Sequence, residues 1–266
     1  MSLFSRKSKA EKAPPRGAPG KRLYAIGDVH GRFDLMQDLL KTIESHNAAR
    51  PNRETFVAFL GDLIDRGPHS RNVVAYLKDW SPDWAKPVFL MGNHEECLVR
   101  CLTGEASLIE QWLGYGGYAC AESYGVPRAE LLNRDAHDRE HMLKSAVPQS
   151  HIEFLCGFAE SARFGDYFLV HAGVRPGHKL DAQSGRDMRW IRDDFLKYDK
   201  PFGPIIVHGH SVTDRVDERP NRIGLDTGAH ASGLLSALWI EDDVRGILDV
   251  QGTLGDEADR WLEAPG

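Results

Sequence analysis

The sequence predicts an α/β fold built on two sheets, and three observations predict it. The first hundred residues run strand, polar cluster, helix three times over. The clusters recur at the length of one βαβ unit, with Asp28, Asp62 and Asn93 standing 34 and 31 residues apart. The second half returns to short apolar strands joined by little helix, which suits a second, more antiparallel sheet.

Taken in order, residues 1–20 carry Arg6, Lys7, Lys9, Lys12 and Arg16 against Glu11, with prolines and glycines from Ala13 to Gly20. That composition reads as a disordered basic tail. Leu23-Tyr24-Ala25-Ile26 is a short strand running into Gly27-Asp28-Val29-His30-Gly31. Leu35, Leu39, Leu40 and Ile43 recur at helical spacing and predict a helix over 33–49. Thr55 to Leu60, rich in aromatic and β-branched residues, predicts a buried strand that ends in Gly61-Asp62-Leu63-Ile64-Asp65-Arg66-Gly67. Val73, Val74 and Leu77 mark a helix over 69–79. A third strand, Pro87 to Met91, ends in Gly92-Asn93-His94-Glu95 and opens a helix over 94–103. Parallel neighbours would bring all three clusters to one sheet edge, where open α/β sheets place their ligands.

Residues 104–160 change character, with glycines at 114, 116, 117 and 125 among several aromatic residues. Helical pieces are expected at 105–113, 117–123, 128–145 and 149–158. They make a mostly helical insertion, a lid or substrate wall beside the site. Strands then lead to His171-Ala172-Gly173, to His208-Gly209-His210-Ser211, and through Ile223 to Gly228, before a closing hairpin at 234–240 and 245–250. The expected organisation is one domain over 21–251 with the insertion at about 104–160, followed by a loosely held acidic tail, 252–266.

Composition narrows the function. Of 266 residues, 41% are apolar and 27% charged, as in soluble globular proteins. A net charge of −6 gives no support for a nucleic-acid surface. No run of 18 apolar residues occurs, so no membrane partner is expected. The four cysteines form no CxxC pair; Cys97 and Cys101, four apart, read as small buried apolar residues. Without a secretory apolar segment, the reducing cytosol is the expected compartment.

Five strand ends carry metal-ligand residue types: Asp28/His30, Asp62/Asp65, Asn93/His94, His171 and His208/His210. One histidine at a strand end is usually a satisfied hydrogen-bonder. Five such ends are hard to explain by stability, because carboxylates buried together repel and are costly to ionise. Mixed Asp, Asn and His ligands suit manganese, iron or zinc better than calcium or a thiolate-bound structural zinc. A carboxylate shared by two cations would make a two-metal site suited to phosphate esters.

These motifs together, from Gly27-Asp28-Val29-His30-Gly31 to Gly209-His210-Ser211, resemble the phosphoprotein phosphatase branch of the calcineurin-like metallophosphoesterases. The resemblance is strongest to its bacterial serine/threonine phosphatases and covers about residues 23–228. It implies a four-layer sandwich of two mixed sheets flanked by helices, and two divalent metal ions, manganese foremost with iron or zinc as alternatives. It implies that Asp28 and His30 hold one metal, that Asp62 bridges, and that Asn93, His171 and His210 hold the other. His210 is preferred to His208 because it follows Gly209 and precedes a hydroxyl residue. His94 resembles the family's general acid, with Asp65 orienting it. Arg66 and Asn93 would bind phosphate, with Arg192 of Trp190-Ile191-Arg192 as a second arginine and Arg189 as its competitor. The implied reaction is hydrolysis of phosphoserine, phosphothreonine or phosphotyrosine in a protein or peptide, by direct attack of a metal-bridging hydroxide. The same core also resembles bis(5'-nucleosyl)-tetraphosphatases, which hydrolyse dinucleoside polyphosphates. The glutamate after His94 leans towards the protein phosphatases. A non-catalytic binding protein would have no physical need for both ligand and phosphate-binding sets. Oligomeric state is not written in the sequence.

Overall fold

The computed structural model describes residues 13–253. Its first sheet holds β1 (Lys21–Ile26), β2 (Glu54–Phe59), β3 (Lys86–Phe89), β9 (Leu234–Glu241) and β10 (Val244–Gln251), in the order β10-β9-β1-β2-β3. The pairs β1/β2 and β2/β3 are parallel. Helices α1 (Phe33–Ala48), α2 (Ser70–Asp79) and α3 (Asn93–Leu102) follow the three parallel strands. The second sheet holds β4 (Ser161–Phe164), β5 (Tyr167–Val170), β6 (Ile205–His208), β7 (Asp217–Arg219) and β8 (Arg222–Gly224), in the order β4-β5-β6-β8-β7.

Strand alternation builds the layers. On β1, Tyr24 and Ile26 pack against the helices, while Leu23 and Ala25 face the other sheet; Val57/Phe59 and Ala58/Leu60 divide likewise on β2. On β5, Tyr167 and Leu169 complete the core between the sheets. Phe168 and Val170 point outward against Met188 of α9 (Gly185–Trp190) and Phe195 of α10 (Asp193–Leu196). The result is helices, sheet, sheet, helices, as the resemblance implies.

Two expectations need correction. The closing hairpin belongs to the first sheet, with β9 antiparallel to β1. The backbone of β9 pairs with the edge of β1 that β2 leaves free. The second sheet is mixed, as the resemblance implies, rather than more antiparallel as the short helix-poor strands suggest: β6 runs parallel to both β5 and β8.

In the insertion lie α4 (Ile109–Trp112), α5 (Tyr118–Ser123), α6 (Arg128–Leu132), α7 (Ala136–Ala146) and α8 (Gln149–Cys156). The single helix expected over 128–145 is two. The first ends at Leu132, and Asp135 caps the second, its carboxylate accepting the N–H groups of His137 and Asp138 at 2.9 Å. A short helix, α11 (Ala229–Ser232), precedes β9.

Residues 1–12 of the expected basic tail lie outside the described residues, as do 254–266 of the acidic one. Residues 16–18, by contrast, are docked. The Arg16 N–H donates to the Asp166 carboxylate at 2.9 Å, and the Gly17 N–H donates to the Asp242 carbonyl at 2.6 Å. Gly17 is buried against Phe164 and Ile240, where a side chain would not fit.

Candidate active site

The loops that leave β1, β2, β3, β5 and β6 converge on one point, and the backbone there is strained. Among the described residues, six non-glycine residues adopt positive φ, and five of them are His30, Asp62, Asp65, Arg66 and His210. Left-handed backbone in such residues costs of order 1–3 kcal/mol each, so the surrounding packing must enforce it. Glycines make room for the crowding: a Cβ on Gly209 would strike the Asp28 carboxylate, and one on Gly92 would strike Asp62.

Asp62 is the hub. His30 Nε2 lies 3.6 Å from its Oδ2, His94 Nε2 3.7 Å from Oδ2, and His171 Nε2 3.3 Å from Oδ1. The ligating atoms of His30, Asp62 and His94 lie within 4.8 Å of one another, as do those of Asp62, His171 and His210. Two groups of possible metal ligands therefore share one buried carboxylate. Asp28 belongs to neither group; its carboxylate accepts the His210 backbone N–H at 3.0 and 3.2 Å.

The hydrogen bonds fix which ring nitrogens stay bare. His30 Nδ1 donates to the Ile64 carbonyl and His171 Nδ1 to the Leu60 carbonyl, each at 2.8 Å. Their Nε2 atoms are thereby turned inward. His30 Nε2, His210 Nε2 and Asp226 Oδ2 are buried without a hydrogen-bond partner. Asn93 Oδ1 sits 2.9 Å from His171 Nε2, adding another acceptor. Such an inward-facing cluster of acceptors is the donor set a divalent cation takes.

The electrostatics agree. Burial, then the neighbouring Asp226 and Asp62 charges, push Asp28 well above the usual carboxylate range. Burial works against ionisation of Asp62 too, but the rings of His171 and His94 outweigh it and hold its pKa well below normal. Those two histidines are correspondingly raised despite burial, chiefly by Asp62. Burial, helped by His171, pushes His210 down to about 2. Burial and the Arg66 charge push His30 well below its ordinary value, so both rings stay neutral with their lone pairs available.

Beside this hub lies a proton-handling pair. His94 Nδ1 and Asp65 Oδ2 are 2.6 Å apart, both buried. The Arg66 guanidinium stands 3.3 Å from His94 Nε2. Arg192 caps α10 at the surface and enters no ion pair among the described residues; its charge helps to depress His210. Its competitor Arg189 is committed elsewhere, to Glu96 at 2.9 and 3.1 Å and to Glu160. His208 stays apart from both ligand groups, its ring edge-on to Phe195 with centroids 5.0 Å apart.

The structural roles of four residues here escaped the sequence analysis. Glu95, fully buried, accepts the N–H groups of Asp62 and Leu63 at 2.8 Å, Gly92 at 3.1 Å and Ile64 at 3.3 Å. Burial, then Asp62, push its pKa up to about 7. Its place directly after His94 was the available signal. Trp112 donates its indole N–H to Asp65 at 2.9 Å. Asp226 and His230 complete the far wall, the His230 ring 5.1 Å from that of His30. The Asp226-Thr227-Gly228 turn at a strand end resembles the other clusters, whereas nothing in the sequence marks His230.

No helix among the described residues is long and apolar enough to cross a membrane. Comparison with known proteins gives a consistent picture. The chain is 24% identical to serine/threonine-protein phosphatase 2 of Escherichia coli (strain K12) over 224 residues, which is 81% of this chain and 91% of that one. It is 35% identical to the symmetrical bis(5'-nucleosyl)-tetraphosphatase of Legionella pneumophila (strain Corby) over 153 residues, 58% of this chain. That match spans 45% of the relative's length, less than half. A solved structure provisionally assigned as a diadenosine tetraphosphatase superposes with a TM-score of 0.62 at 21% identity, covering 89% of this chain and 96% of that one. The profile of the calcineurin-like phosphoesterases matches residues 21–232, the span that holds every residue of the Asp62 hub, and the chain belongs to that family.

Proposed function

We propose that this protein is a metal-dependent phosphomonoesterase that hydrolyses phosphoserine or phosphothreonine, and by the same chemistry phosphotyrosine, in cytoplasmic proteins or peptides. The observation that carries the proposal is Asp62. It is shared by two groups of ligating side chains and flanked by Arg66 and the His94–Asp65 pair. Two divalent cations, manganese foremost, would be held by His30, Asp62, Asn93, His171 and His210, with Asp28 completing the set. When bound, such ions lower the pKa of water to about 7 and neutralise phosphoryl charge.

The chain's own residues supply the rest. Arg66 and Arg192 present planar guanidinium groups that can each pair two phosphate oxygens. Asn93 turns its amide to the same place. His94 gives a proton to the departing alkoxide, a poor leaving group, and Asp65 holds the ring in position for that transfer.

The tetraphosphatase relative, at 35% identity, supports hydrolysis of dinucleoside polyphosphates on the same residues. The protein-phosphatase proposal is favoured by the relative that aligns over 91% of its own length. Metal-stripped protein reloaded with manganese should turn over a phosphoserine peptide faster than diadenosine tetraphosphate. The reverse preference would move the protein to nucleotide chemistry, and hydrolysis of neither, with two metals bound, would refute both assignments.

A further inference from the structure

Two contacts, the first of them buried, tie the insertion to the residues that follow Asp62. The Trp112 indole N–H donates to Asp65 Oδ2 at 2.9 Å, the same oxygen that faces His94 Nδ1 at 2.6 Å. The Gly116 carbonyl accepts the Arg66 backbone N–H at 3.1 Å, and a Cβ on Gly116 would stand 2.7 Å from Arg66 Cγ. Gly116 itself, at φ 106°, breaks the helical run between α4 and α5.

We propose that Trp112 is a positioning residue for proton delivery to the leaving group, and that the insertion is a working part of the active centre rather than a wall beside it. The inference rests on His94 as the proton donor. A carboxylate turns easily about its last torsion. One ring N–H on one oxygen leaves that rotation open, and Asp65 Oδ1 is buried without a partner. All anchoring of the Asp65 carboxylate by hydrogen bonds therefore falls on Oδ2. The indole N–H meets that oxygen from a second direction and sets the plane in which His94 is held. Asp65 and Arg66 both have left-handed backbone, so the loop needs support from outside itself. Burial of an apolar side chain at this site does not by itself call for an N–H group. The N–H is what tryptophan adds, and a buried indole usually secures a partner for it.

In the step served, a water oxygen bonds to phosphorus as the bond from phosphorus to the serine oxygen breaks; one water proton stays on the inorganic phosphate formed, and the other leaves to solvent, from which His94 is later reprotonated. The electron pair stays on the serine oxygen, which takes the proton from His94 Nε2. Asp65 keeps its charge and Trp112 its proton.

The test compares holoprotein with Trp112→Phe and His94→Asn on a phosphoserine peptide and on p-nitrophenyl phosphate, whose leaving group needs no proton. Bound metal and Tm are measured alongside. Trp112→Phe should lower kcat on the peptide about tenfold and on the aryl phosphate about threefold or less, with metal content unchanged. Equal losses on the two substrates, or none, would overturn the inference while His94→Asn still discriminates. If His94→Asn fails to discriminate, the donor assignment falls and the inference with it. Should Trp112→Phe fail to fold, Gly116→Ala tests the second contact. It should weaken inhibition by inorganic phosphate about fivefold or more by displacing Arg66, and unchanged inhibition would overturn the insertion's part.

Discussion

Glu95 lies one residue beyond His94 yet binds backward to Asp62, its carboxylate receiving the Asp62 N–H at 2.8 Å and the Leu63 N–H at the same distance. The first turn of α3 and the loop after β2 are therefore one unit, sewn together by a buried side chain that holds the Asp62 backbone while belonging to neither ligand group itself. Glu95→Gln keeps the shape but sets an amide donor against backbone donors. A cost of about 1–3 kcal/mol in stability is expected, with weaker metal binding. Thermal melts and metal titration check this; an unchanged Tm would mean the backbone needs no such clasp.

His94→Asn should cost about 10²–10⁴ in turnover on a phosphoserine peptide and far less on p-nitrophenyl phosphate. Only an alkoxide needs the proton. Parallel losses on both substrates would remove His94 from the donor role.

Asp62→Asn removes charge from the point both ligand groups share. At least one metal per chain should be lost, read by elemental analysis after dialysis. Two metals retained at full occupancy would contradict the shared-ligand assignment.

Arg192→Ala should raise KM for phosphopeptide about tenfold with smaller change in the melting temperature. Arg189→Ala should do the opposite, because it strips the partner from Glu96 and Glu160. A KM effect confined to Arg189→Ala would exchange their roles.

What the sequence made legible, and what it hid, follows from range. Leu23–Ile26 and Thr55–Leu60 are apolar runs ended by charged clusters, so strand and site could be read from adjacent residues. Sheet membership could not, since β9 pairs with β1 across more than two hundred residues and its local pattern is indifferent to that choice. Trp112 looks like core because it is core; its second role lives in one N–H whose acceptor is 47 positions away. The break at Asp135 was within reach, because an aspartate ahead of a helical pattern is a cap signal. Between Arg189 and Arg192 the sequence offers only the Trp190-Ile191-Arg192 pattern, which favours Arg192 by resemblance. The placement of Glu96 and Glu160, which occupy Arg189, could not be read from it.

The docked stretch at residues 16–18 has a practical consequence. Asp166 sits in the turn between the two antiparallel strands at one sheet's edge, and Asp242 in the hairpin turn of the other. Arg16 and Gly17 hold one turn each, so the polypeptide ahead of β1 works as a cross-tie between the layers, far from the chemistry. A shortened chain starting at Lys21, the sort of trimming a crystallographer makes on a low-complexity leader, would cut that tie. Such a chain should keep its turnover at low temperature and lose it sooner on heating, a thermal liability with no visible cause in the active centre.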